Sequence, residues 1–251
     1  MGVILMREVL QVLRDGQFHS GEALGAVLGV SRAAVWKRLE HLEAELGLEM
    51  HRVRGRGYKL ASPLSLLEPE AIVAACRAQG WEAQILDSVD STNAEVLRCL
   101  AAGAPAPFLV LAERQDSGRG RRGRQWVSPF AENLYYSLGL RLEGGVFSLD
   151  GLSLSVGLAV LRCLREQGVV EAGLKWPNDL LVGGRKIAGV LLELSGDPAG
   201  ECQVVIGIGV NVNMLPGSRV VIDQPWTSLR ECIGHLVDRT ALTLALGRWL
   251  Q

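Results

Sequence analysis

The chain has 251 residues, enough to bury roughly 70–75% of its unfolded surface, and 26 Lys+Arg against 27 Asp+Glu leave a formal charge of −1. With 48% apolar residues, that balance excludes a disordered chain and a globally basic nucleic-acid coat, so any basic site is local. Five cysteines without C-x-x-C spacing (Cys76, Cys99, Cys163, Cys202, Cys232), no apolar run of ~18–20 residues and an early-charged start exclude a disulfide scaffold, a membrane span and a signal peptide. A cytoplasmic protein with reduced thiols is expected.

Residues 4–14 place Ile4, Leu5, Val9, Val12 and Leu13 on one helical stripe, stopped by Asp15-Gly16. Ser20 is an N-cap for a second helix carrying Glu22, Leu24, Val27 and Leu28, and Gly29 breaks it. Ser31 caps a third, whose Val35, Leu39, Leu42 and Leu46 form a buried stripe opposite Ala33, Trp36, Lys37 and Glu40. Two helices about a tight glycine turn, with a basic outer face, predict a helix-turn-helix. Residues 48–60 follow as two short alternating segments around Gly55-Arg56-Gly57, with Arg52, Arg54, Arg56 and Lys59, which predicts a basic hairpin, or wing. Ser31, Arg32, Ala33, Trp36 and Lys37 are the candidate groove contacts, and Arg54 and Arg56 the candidate phosphate contacts. The competing reading is a small protein-interaction module with solvated charges. The proline-bracketed stretch 61–69 sets a boundary, giving a winged helix-turn-helix at 1–62 and a second domain at 68–251.

The second domain alternates helical stretches (70–79, 92–102, 149–167) with strands (82–88, 107–114, 132–142, 171–175, 185–194, 202–210), a mixed α+β pattern. Ser91-Thr92-Asn93 at the second helix reads equally as an N-cap cluster or a polar site. Gly118-Arg119-Gly120-Arg121-Arg122-Gly123-Arg124 satisfies G-x-G-x-x-G, but Pro129 disfavours the following helix and no acid stands about 20 positions on, so a dinucleotide fold fails. No Walker A motif is present either. What remains is a loop of four arginines, suited to wrapping a carboxylate or phosphate, or else solvated. Gly183-Gly184 signals a hairpin with Asp179 and Lys186 on paired strands, either a surface ion pair or a charge for a reacting phosphate. Residues 207–213 read as an apolar strand ending in close-approach glycines and the amides Asn211 and Asn213, with a bulged core strand as the plainer account.

Together these pieces resemble the biotin protein ligases, in particular the bifunctional class that also represses the biotin operon. The matching residues are Asp90-Ser91-Thr92-Asn93, Gln115, Gly118–Arg124, Trp126, Ser128-Pro129, Asn133-Leu134, Lys175-Trp176-Pro177-Asn178-Asp179, Arg185–Gly189 and Gly207–Gly209, with Phe18–Glu22, Ser31–Ala34 and Gly55–Tyr58 in the head. The resemblance implies a mixed-sheet ligase domain that makes biotinyl-adenylate from biotin and ATP, with Mg²⁺ on the triphosphate and no permanently bound metal. It then biotinylates a lysine of the biotin carboxyl carrier protein. It implies catalytic roles for Lys186, Arg121 and Asp179, a biotin site of Ser91, Thr92, Asn93, Gln115, Arg119, Gly120, Arg121 and Lys186, and a nucleotide site of Arg121, Arg122, Trp126, Asn178, Lys186 and Asn211. It further implies operator DNA as partner, the adenylate as corepressor and an adenylate-linked homodimer. Family members continue into a small C-terminal β-barrel that this chain lacks. A second reading is therefore a biotin-sensing repressor with impaired or absent ligase activity. A lipoate ligase shares the catalytic fold but lacks the head and the arginine loop.

Overall fold

Three helices open the chain, α1 (Gly2–Leu13), α2 (Gly21–Leu28) and α3 (Arg32–Leu46), the last two capped at both ends. The computed structural model describes residues 2–142, 151–196, 202–217 and 221–251, apart from the side chains of residues 2–6, so the expected stripe positions Ile4 and Leu5 lie outside the described residues. The Ser20 and Ser31 hydroxyls accept from Ala23 N at 3.0 Å and Ala34 N at 3.3 Å, each satisfying an orphan helix donor. Val35, Leu39 and Leu42 are buried, whereas Leu46 at the helix end is only half-buried. Val27 is exposed, because the inward face of α2 is set by Gly21, Leu24, Gly25 and Leu28 at helical spacing. The hairpin β1 (Met50–Val53) and β2 (Gly57–Leu60) pairs antiparallel, Met50 against Leu60. Glu43 clips it to α3, accepting from Met50 N at 2.9 Å and pairing with Arg52.

The chain divides at Leu66/Leu67. The second unit runs α4 (Pro69–Ala78), β3 (Glu82–Leu86), α5 (Thr92–Ala101), β4 (Phe108–Ala112), β5 (Leu134–Leu142), α6 (Leu152–Glu166), β6 (Gly173–Lys175), β7 (Asp179–Val182), β8 (Arg185–Gly196), β9 (Cys202–Val210), α7 (Leu229–Ile233) and α8 (Arg239–Trp249). Of the helix expected over 149–167, residues 149–150 lie outside the described residues. The seven strands form one sheet in the order β3-β4-β5-β9-β8-β7-β6, with β3 and β4 parallel and every other pair antiparallel. This is the mixed α+β architecture the alternation predicts, following a helix-turn-helix unit with a wing along the chain.

Side chains alternate between the faces of a sheet, and here the two faces carry different chemistry. One face presents Leu109, Leu111, Tyr136, Leu138, Ile206 and Ile208, and α4, α6 and α8 cover it with Ile72, Val160 and Leu246 among others, all in one apolar core. On the opposite face α5 seals one end through Val96 and Leu100, against Val110 and Val205. Beyond Val205 that face continues along β9 as Gly207 and Gly209, along β5 as Tyr135 and Ser137 and along β8 as Gly189, Leu191 and Glu193. That stretch, which no core helix covers, is where the pocket lies.

Candidate active site

The pocket floor is a sheet face stripped of side chains where others must lie against it. A Cβ on Gly209 would stand 2.4 Å from Trp126 Cε2, and one on Gly207 would stand 2.3 Å from Asn93 Oδ1. Trp126 therefore lies flat on β9 and Asn93 reaches β9 from the start of α5. The Trp126 Nε1 donor is buried without a hydrogen-bond partner.

Lys186 arrives through the β7–β8 hairpin. Leu180 pairs with Ala188 but Leu181 with Lys186, so Ile187 is an extra residue on β8, and this bulge turns Lys186 onto the same face as Gly189 and Leu191. Its Nζ lies 2.7 Å from Asp179 Oδ1 and 5.3 Å from the centre of the Trp126 ring. Its backbone is pinned: N donates to Pro225 O at 2.9 Å, and O accepts from Thr227 N at 2.9 Å and from Asn211 Nδ2 at 3.3 Å. Asn211 also donates to Thr227 O at 3.0 Å and stays buried behind the strand, outside the pocket lining.

At the other end the pocket is neutral and polar. Ser91 holds the N-cap position of α5 but makes no cap bond with its side chain, and it lines the pocket. Asp90 beside it receives a two-pronged bond from Arg98 (2.6 and 2.9 Å) and one from Ser91 N at 2.7 Å, and the guanidinium holds its carboxyl down at about 2. Gln115 Oε1 accepts from Thr92 N and Thr92 Oγ1, both at 2.9 Å, while Gln115 Nε2 donates to Ser128 Oγ at 3.0 Å, which donates to Trp126 O at 2.9 Å. Ser137 Oγ lies 2.7 Å from Thr92 Oγ1 and 2.6 Å from Asn93 Oδ1, and Asn93 Nδ2 donates to Glu193 Oε2 at 2.7 Å.

The arginine loop folds back along this opening. Trp126 N donates to Gly118 O at 2.8 Å and Gly120 N to Arg124 O at 2.7 Å, around a single 3-10 turn at Arg121–Gly123. Arg119 reaches Glu193 Oε2 at 2.9 Å and Arg121 reaches Asn178 Oδ1 at 3.1 Å. Arg119, Gly120 and Arg121 line the pocket together with Asn178, whereas Arg122 is exposed and outside the lining. The cavity itself is small, about 50 Å³, and it opens to solvent at its mouth. Lys186 and Arg121 at one end, and amides and hydroxyls beside the Arg119–Glu193 pair at the other, suit a ligand with an anionic tail and a neutral polar head. Among the described residues no three His, Cys, Asp or Glu side chains gather as a metal ligand set.

Of the residues singled out in the sequence, Ser91, Thr92, Asn93, Gln115, Arg119, Gly120, Arg121, Trp126, Asn178 and Lys186 share this one pocket, with Asp179 bonded to Lys186. Ser137 and Glu193 escaped notice. Their signal is a lone polar residue at an inward position of an otherwise apolar strand, in Leu-Tyr-Tyr-Ser-Leu and Val-Leu-Leu-Glu-Leu. On the head, Arg32, Ala33, Trp36 and Lys37 are exposed along α3, Ser31 caps it, Arg54 is exposed at the wing tip, and the Arg56 guanidinium stacks 4.2 Å over Phe18.

These two units are matched separately by models of known families. Residues 85–211 match the biotin/lipoate A/B protein ligase family and residues 6–59 an HTH domain. The chain belongs to the biotin/lipoate A/B protein ligase family. Over nearly its whole length it is also 40% identical to the bifunctional ligase/repressor BirA of Escherichia coli (strain K12), across 97% of this chain and 74% of that protein. Among solved structures it is similar to the biotin protein ligase from Aquifex aeolicus in complex with biotin and ATP, at TM-score 0.55 and 32% identity over 67% of this chain and 68% of that one. It is likewise similar to the Leishmania major biotin protein ligase in complex with biotinyl-5-AMP, at TM-score 0.55 and 30% identity over 67% and 72%. No helix among the described residues is long and apolar enough to cross a membrane.

Proposed function

We propose that this chain is a cytoplasmic, ATP-dependent biotin protein ligase that also acts as a biotin-responsive repressor. The observation that carries the reading is one pocket with Lys186 and Arg121 beside Asp179 and Asn178 at one end and, at the other, a hydrogen-bond relay of defined polarity next to the Arg119–Glu193 pair. Gln115 Oε1 must face the Thr92 N–H, and Asn93 Nδ2 must face the Glu193 carboxylate, so both amide oxygens are turned towards the Thr92 and Ser137 hydroxyls. Two hydroxyl protons then serve three close oxygen contacts, leaving an excess of acceptors. A cyclic urea, with two N–H groups beside one carbonyl, supplies the missing donor, and the valerate carboxylate of biotin runs towards the cations.

In the first step the biotin carboxylate attacks the α-phosphorus of ATP, and the bond to the pyrophosphate leaving group breaks. Two anions meet, so fixed positive charge matters most: Lys186 sits at the reacting oxygens, and Arg119 and Arg121 cover them. Mg²⁺ arrives with the nucleotide, and the residues present favour a cation carried by phosphates over a protein cage. Trp126 and Asn178 flank the nucleotide, while Asn211 acts by pinning the Lys186 backbone and Arg122 stays at the loop surface. In the second step a lysine amine of the biotin carboxyl carrier protein attacks the acyl carbon and AMP leaves, with Asp179 orienting the amine. The loop shields the mixed anhydride from water. In the head, residues 1–62, α3 with Ser31, Arg32, Ala33, Trp36 and Lys37 enters an operator groove and Arg54 and Arg56 meet phosphates. Adenylate-linked homodimerisation pairs two heads on a two-fold site.

Mixing the protein with biotin and MgATP should release pyrophosphate. No release would leave the sensor reading, a repressor without ligase activity, standing alone. Operator binding that is equal with and without a non-hydrolysable adenylate analogue would remove the corepressor role.

A further inference from the structure

Glu193 stands just outside the pocket lining, bonded to two of its residues, Asn93 and Arg119, and the chemistry above leaves it without a task. Its side chain is 24% exposed, and a single oxygen, Oε2, accepts both Asn93 Nδ2 at 2.7 Å and Arg119 at 2.9 Å. A carboxylate accepts and never donates. Asn93 is also held from below, since Gly207 leaves its amide pressed against β9.

Consider the same relay without that carboxylate. Asn93 is then free to turn its amide over and donate through Nδ2 to Ser137 Oγ. Ser137 would donate to Thr92, and Thr92 to Gln115. All three contacts would be satisfied within the protein and the excess of acceptors would vanish.

We propose that Glu193 is the positioning residue that holds this relay in its acceptor-rich polarity, so that a ligand N–H, and not the protein, completes it. Arg119 keeps the carboxylate in place, which ties the arginine loop to the same switch of polarity. The proposal rests on the biotin reading and adds to it the reason the pocket demands a urea N–H. In this arrangement Glu193 lowers the self-sufficiency of the empty site and raises its affinity for the ligand.

The test uses the full chain, with E193L, which removes the acceptor, and E193Q, whose amide oxygen restores a neutral one. Three quantities are measured: calorimetric affinity for biotin, affinity for the carbamate analogue in which one ring N–H is replaced by oxygen, and unfolding temperature without ligand. E193L should bind biotin about tenfold or more weakly, because a hydrogen bond governed by a charged group is lost. Its ratio of biotin to carbamate affinity should fall towards one, its unfolding temperature should not drop, and E193Q should recover part of the biotin affinity. An unchanged ratio in E193L, or E193L melting well below the wild type, overturns the proposal, the second because a merely structural Glu193 would cost stability. Wild-type protein that fails to bind biotin overturns the biotin reading itself, whereas wild-type binding with E193L equally tight overturns the role of Glu193 alone.

Discussion

Lys186 shows how one side chain acquires a role from its surroundings. The Ile187 bulge turns it towards Asp179, and three backbone or amide contacts hold the strand behind it. Lys186→Ala should abolish adenylate formation, assayed as pyrophosphate release, while calorimetric biotin affinity falls less, since the neutral end of the pocket is untouched; retained adenylation would remove Lys186 from the mechanism. Glu132 gives a second prediction at this scale. Burial pushes its carboxyl up to about 7, against the pull of Arg230 and Arg239. The folded chain thus binds this proton more tightly than the unfolded chain, so stability falls as pH rises from about 4.5 to about 7. Glu132→Gln should flatten that fall and gain up to about 3 kcal/mol at pH 8, read from urea midpoints at pH 5 and pH 8. The arginine loop and the Lys186–Asp179 pair were legible in the sequence because residue type and turn spacing announce them, whereas the Thr92–Gln115 end came only through the resemblance to the biotin protein ligases. Ser137 and Glu193 were hidden, because one polar residue in an apolar strand carries no spacing that says which face it takes.

Among the elements, those with end signals were the easiest to read. Ser20, Ser31, Gly29 and the Gly183-Gly184 turn mark the head helices and the β7–β8 hairpin, and the structure places them there. Ser31→Ala should cost about 1 kcal/mol through the lost bond to Ala34 N, seen as faster amide exchange along α3 with pyrophosphate release unaltered. The stretch after β9 was opaque. From Asn211 to Asp238 the only helix described is the five-residue α7, and its order comes from side-chain bonds to distant backbone, such as Asn213 Nδ2 to Val237 O at 3.0 Å. Such bonds have no periodicity to detect.

At the level of the whole molecule, the division near residue 66 follows from composition, but what secures the second unit does not. Arg239 of α8 and Glu113, just after β4, form an ion pair among residues at most 1% exposed, and Arg239 Nε donates to Asn133 O at 2.9 Å. Arg239→Met leaves a buried, unpaired carboxylate and should cost about 3–5 kcal/mol in thermal denaturation. The double change Arg239→Met with Glu113→Leu should recover only part of that, because Glu113 Oε1 also accepts from Leu67 N at 2.8 Å. An equal loss in single and double variants would deny the pairing its importance. That last bond sets where the molecule tolerates being cut. A ligase fragment trimmed to start at Leu67 would exchange a neutral amide for a new ammonium at a position sealed from solvent, so a severed catalytic half ought to keep several residues of the preceding proline-bracketed segment as its leading edge.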